Sequence, residues 1–237
     1  MTSAGAAGPR GPGSLWVVGL EKTVAPKAVH RYKQNQPLGR IGAKVRQSLM
    51  DAVSQLLWDR PPWQLRASDV AAHCNLRQSN FYTYFASIDE AIWARVVQVH
   101  EMHPDLRSFV QGGWGPSDFP RAQALTDAMA AFWREHRPIL ALARSLGEEG
   151  DPDYLQVRIT PHEKFIDACV EMISQAQSAG RLSARLEPRM AAWSVFGELE
   201  SLGATLHTHG AMGFSYEQSR DTAAARVFAG VTGWRAD

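Results

Sequence analysis

The chain has 237 residues, of which 45% are hydrophobic and 21% charged, and a formal net charge of +1. That length and balance suit a soluble globular protein of one or two domains with a sizeable core, and no apolar run approaches the ~18 residues of a membrane span. The two cysteines, Cys74 and Cys169, lie one in each half and form neither a disulfide framework nor a zinc cluster.

The near-zero net charge hides a lopsided distribution. Residues 1–100 hold twelve Lys or Arg against six Asp or Glu, whereas the remainder holds 13 basic and 18 acidic residues. A basic N-terminal part on an acidic C-terminal part fits a nucleic-acid-binding head on a body that stays clear of it. A chance asymmetry of a solvated surface is the competing reading.

In chain order, residues 1–14 are rich in Gly, Ala and Pro and are expected to be disordered. Residues 15–20 are apolar but too short for a secretory signal, so a cytoplasmic location is expected. Between residues 22 and 50 seven Lys or Arg occur with no acidic residue, and Pro26 and Pro37 keep the first part extended. Such an arm can follow a phosphate backbone or enter a minor groove, or it can be a solvated tail. Ile41, Val45, Leu49, Ala52, Val53 and Leu56 then mark the apolar face of a first helix, closed by Pro61-Pro62.

Residues 67–85, ASDVAAHCNLRQSNFYTYF, read as two short helices around a turn at Asn75, a residue type that tolerates the left-handed conformation. This is the outline of a helix-turn-helix, whose second helix enters the major groove. Gln78, Ser79, Asn80 and Thr83 supply side chains suited to base edges. Two adjacent polar helices also occur in ordinary bundles. Ser87-Ile88-Asp89-Glu90 is a capping box for a fourth helix running to about His103, with Ile92, Trp93, Val96 and Val97 on its apolar face.

Residues 111–120, QGGWGPSDFP, read as a flexible connection, since the glycine cluster lacks the Lys and Ser or Thr of a phosphate-binding loop. Helical patterns follow at 121–135 and 138–146. A longer one runs from Asp151-Pro152 to Gly180, with a kink expected at Thr160-Pro161. Another runs from Pro188 to about His207, and the last opens at the capping box Ser215-Tyr216-Glu217-Gln218 and ends near Trp234. No strand pattern or repeat appears. The expectation is an all-α chain of about nine helices: an arm over 1–37, a helix-turn-helix head and connecting helix over 38–103, and a helical body over 104–237.

With these residues in view, the chain resembles the tetracycline-repressor (TetR) family of transcriptional regulators. The resemblance rests on Ser68-Asp69-Val70-Ala71, Leu76, Asn80-Phe81-Tyr82-Thr83-Tyr84-Phe85 and Ser87-Ile88-Asp89-Glu90-Ala91, and covers residues 40–93. Asn75 stands where the family commonly has Gly, Arg66 and Arg77 where a capping Ser or Thr is common, and Ile88 where a phosphate-contacting Lys is frequent. The resemblance implies that Gln78, Ser79, Tyr82, Thr83 and Ser68 meet bases, and that Asn80, Tyr84, Lys44 and Arg46 meet phosphates. It also implies a homodimer formed by the last two helices on a palindromic operator, and a ligand cavity in the body.

Large apolar residues recur in that body, and most such stripes are core. The candidates for lining a cavity are Trp133, Phe165, Cys169, Met172, Trp193 and Phe196, with His136, His162 and Glu200 as polar groups, which suits a small, mostly apolar effector. His100 with His103, and His207 with His209, lack the further ligands a metal site requires and read as surface or interface histidines. Neither a catalytic motif nor a cofactor motif is present, so no enzyme and no cofactor is expected. Taken together, the sequence reads as a ligand-responsive repressor that binds double-stranded DNA and no membrane. Two alternatives stay open: an effector-independent architectural DNA-binding protein, and a helical small-molecule binder or enzyme that has lost DNA binding.

Overall fold

The structure, a computed structural model, describes residues 39–235. The arm expected over 1–37 lies outside the described residues. Among those described there is no strand, and ten α-helical segments follow one another: α1 (Arg40–Leu56), α2 (Ala67–His73), α3 (Gln78–Tyr84), α4 (Ile88–Glu101), the single turn α5 (Arg107–Val110), α6 (Phe119–Glu148), α7 (Pro152–Ile159), α8 (Glu163–Ser178), α9 (Pro188–His209) and α10 (Tyr216–Thr232). Leaving out the one-turn α5, nine helices match the expected all-α architecture.

The head forms because α1, α2 and α3 each bury a narrow stripe. Leu49, Val53, Val70, Ala71 and Phe81 are fully buried, and Phe85 nearly so. The Phe81 and Phe85 rings lie 5.6 Å apart and anchor α3 against the other two helices. Full burial of such a ring contributes roughly 1.5–3 kcal/mol, enough to orient a seven-residue helix that would not persist alone. Asn75 makes the turn at φ 56°, and among the described residues it is the one non-glycine with positive φ. The two arginine N-caps contribute nothing from their side chains, which cannot accept hydrogen bonds. At α2 the Asp69 carboxylate instead accepts the Arg66 amide at 3.1 Å.

Helix α4 joins head to body. Ala91, Ile92, Val96 and Val99 on its buried side belong to one continuous hydrophobic core that runs through both parts. A polar clasp ties α4 to α1: Arg95, only 8% exposed, donates to Ser54 Oγ at 2.7 Å and pairs with Asp51 at 3.1 Å. Beside it Gln98 and Gln47 donate to each other's side-chain oxygens at 2.6 and 3.2 Å. The helix opens as its capping residues foretell, with Ser87 Oγ accepting the Glu90 amide, but the Glu90 carboxylate reaches the Ala86 amide instead of that of Ser87.

In the body α6, α8, α9 and α10 pack on one another, with Trp133 of α6 seated directly over Gly203 of α9. The patterns at 121–135 and 138–146 are two helical stretches within α6 that meet at a kink at His136, whose backbone is non-helical (φ −117°, ψ 15°), because Pro138 lacks an N–H and its ring crowds the preceding turn. One expectation is corrected: the loop over 111–118 is pinned and not a flexible connection. Trp114 donates its indole N–H to the Phe109 carbonyl and stacks on Phe228, while Arg121 holds the Gln111 and Gly113 carbonyls. The expected break at Thr160-Pro161 is a 3-10 turn between α7 and α8. At the last helix Ser215 and Gln218 form the reciprocal box, with bonds of 3.1 and 2.8 Å.

Candidate nucleic-acid interface and ligand cavity

On α3 the side chains divide cleanly. Phe81 points into the head, while Gln78, Ser79, Asn80, Tyr82 and Thr83 are exposed and Tyr84 is half-buried. The helix N-terminus follows Arg77 in extended conformation, so the first-turn amides and polar side chains face outward together. Ser68 is half-buried in the first turn of α2, and Lys44 is exposed on α1. Arg46 is engaged within the head: its guanidinium lies 4.8 Å from the Phe85 ring centre and its Nη1 lies 3.5 Å from Met50 Sδ. Ile88 is half-buried against the head core and does not project freely from the start of α4.

The candidate cavity residues are brought together as packing, except Phe165 and Met172, the latter bordering a small cavity of about 290 Å³ with Arg107 and Val110. Trp133, Cys169, Met172 and Phe196 are buried in the core, and Trp193 is half-buried with its ring 5.6 Å from that of Phe196. Burial pushes the Cys169 thiol up to about 12, so it stays protonated. His162 lies between Phe196 and His103, its ring 4.2 Å from each, and His103 in turn meets Phe132 at 4.6 Å. His136 packs on Phe132, and burial lowers its pKa. Glu200 is consumed by Arg158 of α7, with a 2.8 Å contact between two side chains about 15% exposed. Phe165 alone of the nine reaches the cavity described next.

That cavity, about 600 Å³, lies between the C-terminal half of α4, the segment 103–107, α7 and the start of α8. Its apolar walls are Trp93, Val97, Leu106, Val157 and Phe165, with Lys164, Arg107, Glu101, Asp105 and Asp153 around it. His100 and His103 also line it, which corrects their reading as surface or interface residues: His100 is 5% exposed and His103 half-buried. Their Nδ1 atoms lie 2.8 and 3.1 Å from the Val96 and Pro104 carbonyls. Desolvation holds the pKa of His103 down at about 4 and that of His162, directly behind it, at about 2, so the histidine side of the wall is uncharged near neutral pH while Lys164, Arg107 and the carboxylates bring charge to the rest. The cavity therefore suits a largely apolar molecule with one polar end. Sequence inspection missed Trp93 and Val97 as lining residues, because an apolar face of α4 reads the same whether a helix or a void lies opposite.

Residues 106–237, more than half the chain, match the family model of the tetracyclin repressor-like C-terminal domain. The chain belongs to the TetR family. Solved structures of similar fold include the fatty acid degradation regulator FadR from Bacillus halodurans, with 13% identity, 81% of this chain and 97% of that one covered, and a TM-score of 0.57. FadR from Bacillus subtilis in complex with stearoyl-CoA matches at 10% identity, 79% and 98% coverage and a TM-score of 0.55. NalD from Pseudomonas aeruginosa, the secondary repressor of the MexAB-OprM multidrug efflux pump, matches at 15%, 80% and 98% coverage and 0.56. At these identities the likeness is one of fold. No curated protein matches the sequence. A further solved structure of similar fold, at 17% identity, is a putative TetR-family transcriptional regulator from Rhodococcus sp., and among the described residues no helix of this TetR-family chain is long and apolar enough to cross a membrane.

Proposed function

We propose that this TetR-family protein is a ligand-responsive repressor that binds a palindromic DNA operator as a homodimer. Gln78, Ser79, Tyr82, Thr83 and Ser68 read bases, while Lys44, Asn80, Tyr84 and Arg46 hold phosphates, Arg46 once it leaves its seat on Phe85. The dimer forms through α9 and α10 and presents its two recognition helices about 34–36 Å apart, one DNA turn. The effector is a small, mostly apolar molecule in the cavity beside α4.

One observation carries the ligand-responsive part of this reading. Trp93 and Val97 of α4 wall the cavity, while Arg95 on the same two turns is clasped to Asp51 and Ser54 of the head. A ligand that wedges against Trp93 and Val97 moves the helix to which the head is tied, and it lowers DNA affinity only as far as it prefers the moved state. The charge asymmetry and the exposed polar face of α3 support the DNA-binding part.

The test is retardation of DNA from upstream of the protein's own gene, with and without an apolar compound such as stearoyl-CoA or a long-chain fatty acid. The reading expects sequence-specific retardation, its loss on ligand addition, and a reduced response to the same ligand in Val97→Trp, which narrows the cavity along α4. Retardation that no apolar ligand releases would favour an architectural role. No retardation by a folded dimer would favour a binder without DNA activity.

A further inference from the structure

A second cleft, about 420 Å³, lies on another side of the body, where the turn after α1 meets the middle of α6 and the C-terminal end of α9. Its polar lining is one-sided. Arg134, Arg137, His207 and His209 contribute to it, and no Asp or Glu does. Elsewhere in the body Arg144, Arg158, Arg189, Arg220 and Arg226 each pair with a carboxylate, whereas Arg107, Arg181 and Arg185 form no ion pair among the described residues. Arg134 and Arg137 pair with none among the described residues.

Each of these two arginines instead lies over an aromatic ring. The Arg137 guanidinium carbon is 4.9 Å from the centre of Trp58, and that of Arg134 is 5.4 Å from the centre of Tyr216. A guanidinium held over a ring by its charge keeps N–H donors for an anion, which a carboxylate can meet with two parallel bonds; Arg134 also hydrogen-bonds the Tyr216 hydroxyl, which fixes its position in the cleft. Asp127, beside Tyr216, is held by the Tyr216 hydroxyl at 2.6 Å and by Arg220, and it forms no ion pair with Arg134 or Arg137. Trp58 and Phe214, 45% and 54% exposed, add two large apolar surfaces to the same cleft. His209 is fixed by Ser219 and Thr205, which stiffens the wall that it provides.

We propose that this cleft is a second small-molecule site, which takes a planar aromatic carboxylate with its ring against Trp58 and Phe214 and its carboxylate on Arg134 and Arg137. The volume suits a bicyclic ring system and lies within the range of ordinary ligand pockets. The proposal is independent of the effector cavity beside α4 and of DNA binding.

The experiment is titration calorimetry on the full chain with naphthoate and with naphthamide, its uncharged counterpart of nearly equal shape. Naphthoate should bind about tenfold or more tightly than the amide, the difference expected of charge-assisted hydrogen bonds. Arg137→Gln and Arg134→Gln should each weaken naphthoate by a similar factor at unchanged melting temperature and leave the amide unaffected. Lys164→Gln, in the other cavity, should change neither ligand. Equal affinity for acid and amide, binding insensitive to both arginine variants, binding lost in Lys164→Gln, or no naphthoate binding to the folded protein would each overturn the assignment.

Discussion

Lowering the pH from 7 to 5 should destabilise this protein through the histidines behind its cavity. His162 is 3% exposed among His103, Phe196 and the rest of the core, and its folded pKa is held at about 2. An unfolded histidine titrates near 6.5, so between pH 7 and 5 the unfolded chain takes up a proton that the folded chain refuses. The sign is therefore a loss of stability as pH falls below about 6.5, continuing down to the folded pKa. Over these two units it amounts to about 2 kcal/mol for His162, with His103, held at about 4, adding at most a similar amount. Against a typical total of about 5–15 kcal/mol this is a large fraction. Urea unfolding at fixed protein concentration, at pH 7 and pH 5, measures it for the parent and for His162→Phe, which keeps a ring between its neighbours and removes the titration. The parent should lose about 2–4 kcal/mol and the variant about 2 kcal/mol less. A parent curve flat between the two pH values, or an identical loss in both proteins, would refute the buried-neutral description of this cluster.

Gly203→Ala should cost at least the ~1–3 kcal/mol typical of overpacking, because the added methyl would sit 2.3 Å from Trp133 Cγ and 2.8 Å from its Cβ, atoms that cannot swing away; a melting temperature equal to the parent's would contradict that packing. Gln78→Ala should leave the melting temperature unchanged and weaken specific DNA binding by about 1–3 kcal/mol, whereas Phe81→Ala should lose roughly 3–5 kcal/mol of stability and unfold the head. Matched melting losses in those two variants would place Gln78 in the core. Glu200→Gln leaves the Arg158 charge unpaired at a site where both side chains are about 15% exposed, and should cost about 3–5 kcal/mol by thermal or urea unfolding, against less than 1 kcal/mol if the pair behaves as a surface ion pair.

Local chemistry determined most of the element boundaries before any tertiary contact was considered. Asn75 marks the turn between α2 and α3, Asp151-Pro152, Glu187-Pro188 and Ser215 open helices, and Gly180 and Gly233 follow helix ends, because caps, missing amides and left-handed turns act within a few residues. The outward set on α3 was likewise legible, since burial of Phe81 and Phe85 leaves Gln78, Ser79 and Tyr82 one direction to face. Tertiary packing decided the rest. It seats Trp114 on Phe228 and spends Glu200 on Arg158, 42 residues away. It also sorts the aromatic residues of the body into core and cavity wall. Helical periodicity names the face that Phe165 and Phe196 share with their neighbours, but a cavity is a place where elements distant in sequence fail to meet. Periodicity within one helix carries no record of what stands opposite, so only the assembled fold set Phe165 on the cavity and Phe196 against His162.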